Sequence, residues 1–211
     1  CMELLTVLIM PAAFVYYSAG NRFSNLPAYR MAYGTGLVCG IVIALLHGLI
    51  SGFLPWNTAH GAVLYPVVLL SLVLFPFVLG PALLNLLFLS PARERLHRTI
   101  PQLFGILSVY LPYILIVRYP LPDVWILIMV PVLIVALIFL ADSCLKRYLF
   151  TIRLGPTFEG VLFALLPVLV SLAILPLLVV LWHFCFHPLF YWIPSLGVTG
   201  ISAGMRIKKY I

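Results

Sequence analysis

The chain has 211 residues, of which 64% are hydrophobic and only 8% charged, and its mean hydropathy is +1.21. A soluble domain carries roughly a quarter charged residues, so this composition excludes a water-soluble globular protein. The formal net charge of +7 does not mark a nucleic-acid binder: the basic residues sit in short stretches between apolar runs, where they set topology and meet lipid headgroups.

Several apolar runs reach the ~20 residues that an α-helix needs to cross a ~30 Å hydrocarbon core. The alternating segments of about ten residues that mark a membrane barrel do not occur. The expected fold is all-α, a polytopic transmembrane bundle of six or seven spans without a soluble domain, occupying 1–211 as one integral-membrane domain. The predicted segments are roughly 3–19, 31–54, 62–89, 100–119, 122–141, 160–184 and 188–205. The last is short, opens on aromatics and Pro194, and reads either as a span or as a re-entrant segment.

The first segment contains Pro11 and leads to Arg22 and Arg30. The second carries the clearest pattern, with Gly36, Gly40, Ala44, Gly48 and Gly52 recurring every fourth residue. That spacing lays small side chains along one helix face. Lipid tails give helices little hydrophobic drive to meet, so close approach through small residues supplies the packing. The ridge is therefore expected against another helix, either within the chain or in a partner. The last segment has a shorter version, Gly200 and Gly204.

Prolines punctuate the remaining segments: Pro66, Pro76 and Pro81, then Pro101 and Pro112, then Pro131, Pro167, Pro176 and Pro194. Each interior proline removes a backbone hydrogen bond and bends its helix. Such breaks are tolerated at membrane depth where protein or a water-filled cavity meets the freed carbonyls, as at the binding sites of transporters. Packing kinks in a bundle account for them equally well. A shift of 101 positions pairs Pro11 with Pro112, Pro55 with Pro156 and Pro66 with Pro167. Residues 1–89 and 100–184 would then form an inverted repeat, with chance matching in a Leu- and Val-rich background as the alternative.

Basic residues orient the spans. Arg22 and Arg30, then Arg93, Arg95 and Arg98, then Lys146, Arg147 and Arg153, and finally Arg206, Lys208 and Lys209 fall in alternate loops and the tail. The stretch 55–61 has no Lys or Arg, and the fourth loop has only Arg118 at its edge. By the positive-inside rule the N-terminus lies outside and the C-terminus in the cytoplasm. The expected location is the cell membrane. The terminal K-K-Y-I resembles an endoplasmic-reticulum retrieval signal and keeps that membrane as the alternative.

Candidate chemistry is sparse. In W-H-F-C-F-H-P, His183, Cys185 and His187 alternate, and all three residue types bind metals. In a helix His183 and His187 share a face and Cys185 points away, whereas in an extended chain all three align. The surrounding Trp182, Phe184, Phe186, Phe190, Tyr191 and Trp192 read instead as an interfacial aromatic belt. No cofactor is implied. The cysteines Cys1, Cys39, Cys144 and Cys185 lack a C-x-x-C spacing and indicate neither a disulfide framework nor a zinc knuckle. Cys1 in place of Met reads as a trimmed or processed start, and no cleavable signal peptide is recognisable.

All the acids (Glu3, Glu94, Asp123, Asp142 and Glu159) fall at predicted span ends or in loops, which argues against ion coupling through a buried carboxylate. Asp142 precedes Lys146 by four residues, the spacing of a helical surface pair. The polar residues inside predicted spans are His47, Asn85, Gln102 and Ser108, with Tyr65, Tyr110 and Tyr113. An unpaired amide in lipid costs a few kcal/mol (~2 or more), so His47, Asn85 and Gln102 are expected to face other helices or a cavity. G-I-S-A-G at 200–204 has the letters of a nucleophile elbow, but that turn needs an α/β sheet.

These features point to an integral membrane transport component, either a small permease-like protein or one subunit of a larger transport complex. A non-catalytic scaffolding subunit and an intramembrane enzyme acting on lipid are the alternatives. Expected partners are membrane lipids and other membrane subunits or a second copy of the chain, with no nucleic acid.

Overall fold

A computed structural model describes residues 2–20, 26–51, 70–87, 92–118 and 124–152, with isolated positions at 169, 173, 196–198, 200, 201 and 204. Every described residue is helical. In chain order α1 is Met2–Gly20 and α2 is Leu26–Ser51. A π-helical segment, Leu70–Leu79, runs directly into α3, Gly80–Leu87. Next comes α4, Ala92–Pro112, which continues as a second π-helical segment, Tyr113–Arg118, and then α5, Val124–Ile152. The stretches Pro27–Ile50, Arg98–Ile116 and Leu127–Cys144 are long and apolar enough to cross a membrane.

Two helices outrun their predicted segments. The fourth was expected from about 100 and begins at Ala92; the fifth was expected to end near 141 and continues to Ile152. The extensions, A-R-E-R-L-H-R and D-S-C-L-K-R-Y-L-F-T-I, are too polar to read as hydrocarbon-spanning. They are nevertheless rich in Ala, Leu, Arg, Glu and Lys, which favour helix. Loss of hydrophobicity ends the lipid-matched stretch without ending the helix.

The chain divides into two compact units, Cys1–Pro131 and Val132–Ile211. In the first, α4 is central: 72% of Arg98–Ile116 is buried, against 28% of Pro27–Ile50 in α2. Phe104 of α4 is fully buried and meets two rings of α1, Phe14 at 6.4 Å and Tyr17 at 5.7 Å. Phe14 stacks on Tyr33 at 4.2 Å, and Tyr17 lies 6.1 Å from Tyr29. Later residues of α1 thus meet earlier residues of α2, so these helices are antiparallel. Gly36 and Gly40 of α2 meet Gln102 and Ile106 of α4 in the same order, so those two are parallel. The helix between them runs back: Phe75 lies beside His47, and Gly80 beside Cys39 and Ile43. Helix direction therefore alternates along the chain in this unit.

Among the described residues, large apolar side chains stand exposed on α1 and α2. On α2, Val38, Ile41, Leu45 and Leu49 are all at least half exposed, as are Leu4, Leu8 and Val15 on α1. A contiguous apolar surface of this kind belongs against lipid or another protein.

One hydrogen bond shows how the unit handles a proline. Thr6 Oγ1, on fully buried Thr6, donates to the carbonyl of Leu127 at 3.0 Å. In an α-helix that carbonyl accepts from the N–H four residues on. Here that residue is Pro131, inside α5, and proline has no N–H. The hydroxyl of α1 supplies the missing donor, which in an apolar surround replaces a costly orphan. Thr6→Val should cost about 1 kcal/mol in a detergent-unfolding titration. In a Pro131→Ala background, where the helix again has its own donor, the same substitution should cost almost nothing. Equal costs in the two backgrounds would separate Thr6 from the proline.

Candidate functional site

The seam between α2 and α4 is built from backbone. A Cβ placed on Gly36 would run into the Gln102 carbonyl, and one on Gly40 would lie 2.6 Å from the Ile106 carbonyl oxygen. From the other side, a Cβ on Gly105 would strike the carbonyl of Tyr33 and the backbone of Gly36. The two helices touch where side chains are absent. Gly36 and Gly40 thus face α4 of the same chain. Ala44 is buried on the same helix. A Cβ on Gly48 would meet the Tyr113 hydroxyl at 3.1 Å. Gly52 lies outside the described residues.

Polar side chains follow this seam. Gln102 and Ser108 are both buried on α4. Ser108 Oγ donates to the Phe104 carbonyl one turn back, at 2.7 Å. That uses its hydrogen, so in the 2.9 Å contact with Tyr33 the tyrosine hydroxyl is the donor and Ser108 Oγ the acceptor.

Pro112 lies one turn beyond Ser108 and has no N–H to offer the Ser108 carbonyl. The helix abandons its α register immediately afterwards, at Tyr113. The wider π winding re-aims the side chains that follow it. On the facing side, the π-helical segment Leu70–Leu79 contains Pro76. Short π insertions within α-helices are found disproportionately at functional positions.

Both π segments reach one residue. His47 of α2 is 1% exposed. Its ring centroid lies 5.4 Å from Phe75 in the first π segment, 5.8 Å from Tyr110 on α4 and 6.0 Å from Tyr113 in the second. The Tyr113 ring stands edge-on to the imidazole at 81°. Phe75 and Tyr110 are near-parallel at 6.4 Å, and Tyr110 is also 6.4 Å from Tyr113. The histidine is enclosed by three aromatic rings from two chain segments that are far apart in sequence.

The other expected residues are placed as follows. Asn85 lies on α3, with its side chain outside the described set. His183, Cys185 and His187 all lie outside the described residues. Among the described residues, no group of three or more His, Cys, Asp or Glu side chains gathers as a metal site.

Asp142 departs from the surface pair expected of it. Lys146 Nζ donates to Asp142 Oδ2 at 2.6 Å, with the lysine side chain 37% exposed and the aspartate only 6%. The predicted span ended at 141; because α5 runs on to Ile152, Asp142 sits inside the helix with its carboxylate covered, not at a solvated end.

Gly105, Tyr33 and Phe75 were not singled out from sequence. Gly105 had a readable signal: Gln102, Gly105 and Ser108 recur every third residue, which puts small and polar groups along one side of an otherwise bulky helix. Phe75 had none, since one more aromatic residue among leucines carries no mark of its neighbour.

The chain was compared with protein-family models, curated proteins and solved structures, and none matches.

Proposed function

We propose that the chain is an integral membrane transport component whose solute-handling element is the junction around His47. The observation that carries this reading is the convergence of both π-helical segments on that one buried histidine. Non-α backbone at membrane depth persists where it is packed in protein or lines a cavity. Carriers place such interrupted helices at their binding sites. In this reading the chain crosses the cell membrane six or seven times, with its N-terminus outside and its basic C-terminus in the cytoplasm. It acts alone as a small permease or as the membrane subunit of a larger transport complex, and its outward apolar faces meet lipid or companion subunits.

Right-side-out vesicles from source cells with and without the chain provide the test. Each is offered an isotope-labelled mixture of water-soluble metabolites, and uptake is read by mass spectrometry. Removing the chain should abolish uptake of at least one solute. The wild-type chain should restore it, and His47→Phe, which keeps a ring of similar size, should leave most of it lost. An uptake profile identical with and without the chain would overturn the transport reading and leave a scaffolding role. Native mass spectrometry after gentle extraction would then look for companion subunits.

A further inference from the structure

We propose that His47 is a reversible proton-binding site, and that its proton is the coupling ion of the transport reading above, on which this second step rests. Histidine is the side chain whose ordinary titration falls near physiological pH. An imidazolium buried in an apolar bundle needs compensation for lost water. Aromatic faces supply it, because a cation within about 6 Å of a ring centroid is attracted by the negative face of the ring. The Phe75, Tyr110 and Tyr113 centroids, at 5.4, 5.8 and 6.0 Å from the imidazole, all lie within that distance. The cage thus accommodates the ring in either protonation state. The neutral imidazole packs as an aromatic among aromatics, and the charged one meets the tilted rings of Phe75 and Tyr110, at 44° and 56° to its own plane.

One proton adds from water to an imidazole nitrogen, and the same proton leaves on release.

Among the described rings that face His47, Tyr110 on α4 and Tyr113 in the second π segment bring phenol hydroxyls, and Phe75 in the first brings no titratable group. On the same helix the nearest titratable side chain toward the N-terminus is Cys39, whose thiol donates to the Gly80 carbonyl at 3.7 Å. A change of charge at His47 acts directly on one ring from each π segment, which ties proton occupancy to the two parts of the backbone least committed to α geometry.

The full chain in lipid nanodiscs, labelled with ¹⁵N at the histidine rings and ¹³C at Phe and Tyr, should be titrated by NMR from about pH 5 to 8. His47 is assigned by the signal missing in His47→Gln or, should that variant fail to fold, by cross-peaks to the Phe75 and Tyr110 rings. His47 is expected to pass reversibly from imidazole to imidazolium within that range, with the Phe75 and Tyr113 ring signals moving at the same midpoint. A His47 ring that stays in one protonation state throughout would overturn the proton site. For the coupling step, a protonophore added to the vesicles should abolish accumulation of the transported solute. Undiminished accumulation would overturn coupling. Failure of the transport reading is seen separately, as the absence of any chain-dependent solute, and leaves the titration readable.

Discussion

Gly36→Ala should destabilise the protein by about 1–3 kcal/mol, while Gly34→Ala, two residues away on the same helix, should be neutral or stabilising by up to about 1 kcal/mol. The difference lies in what the added methyl meets. At Gly34 there is nothing within 4 Å, so alanine only removes the conformational freedom that glycine gives the unfolded chain. At Gly36 the methyl would occupy the place of the Gln102 carbonyl, and a carbonyl held in a helix ladder cannot swing aside as the end of a side chain can. Either α2 and α4 separate or one of them bends. Gly40→Leu should cost more still, because a whole side chain must be fitted where even an added Cβ would lie 2.6 Å from the Ile106 carbonyl oxygen.

Separation of the helices also predicts non-additivity. Once Gly36→Ala has forced them apart, Gly105→Ala should cost less than it does alone, by about 1 kcal/mol, since Gly105 faces the same backbone from the other side. Detergent-unfolding titrations of the four single variants and the double variant measure all of this. Equal behaviour of Gly34→Ala and Gly36→Ala would mean that the two backbones are not in contact.

The sequence and the fold meet unevenly, and the reasons are physical. Long runs of Leu, Val and Ile are visible without any partner, so the helices now described at Met2–Gly20 and Leu26–Ser51 fall close to the predicted 3–19 and 31–54. Helix ends were harder, because hydrophobicity reports the lipid-matched stretch and not the hydrogen-bond ladder, which at Ala92 and Ile152 continues through charged residues. The fourfold spacing of Gly36, Gly40 and Ala44 declared a close contact without naming its occupant, since small residues invite any backbone. The enclosure of His47 was beyond reach: Phe75 and Tyr113 arrive from separate segments, and ring packing leaves no spacing rule in the chain. The bond from Thr6 to Leu127 shows the same limit. Pro131 identifies the carbonyl that needs a donor, and only the packing of α1 identifies which donor comes.

Lys146→Met should destabilise the protein by about 2–3 kcal/mol, more than Asp142→Asn and more than the two substitutions together. The order follows from the unequal burial of the pair. The Asp142 side chain is 6% exposed and that of Lys146 37%. Removing the lysine takes away the ammonium 2.6 Å from a carboxylate that is largely covered from water. Removing the carboxylate leaves a lysine on a long flexible stem, which can carry its ammonium outward, so Asp142→Asn should cost under about 1 kcal/mol. In the double variant no charge remains to be stranded, and much of the loss from Lys146→Met should return. Lys146→Arg, which keeps the charge, should stay within about 1 kcal/mol of wild type. Partial exposure of the lysine keeps the expected loss below the ~3–5 kcal/mol typical of a fully buried pair broken on one side. Unfolding titrations of the three single variants and the double decide between a buried pair and the surface pair that a spacing of four alone implies. A surface pair would give small, equal and additive effects, whereas a covered carboxylate gives the asymmetry.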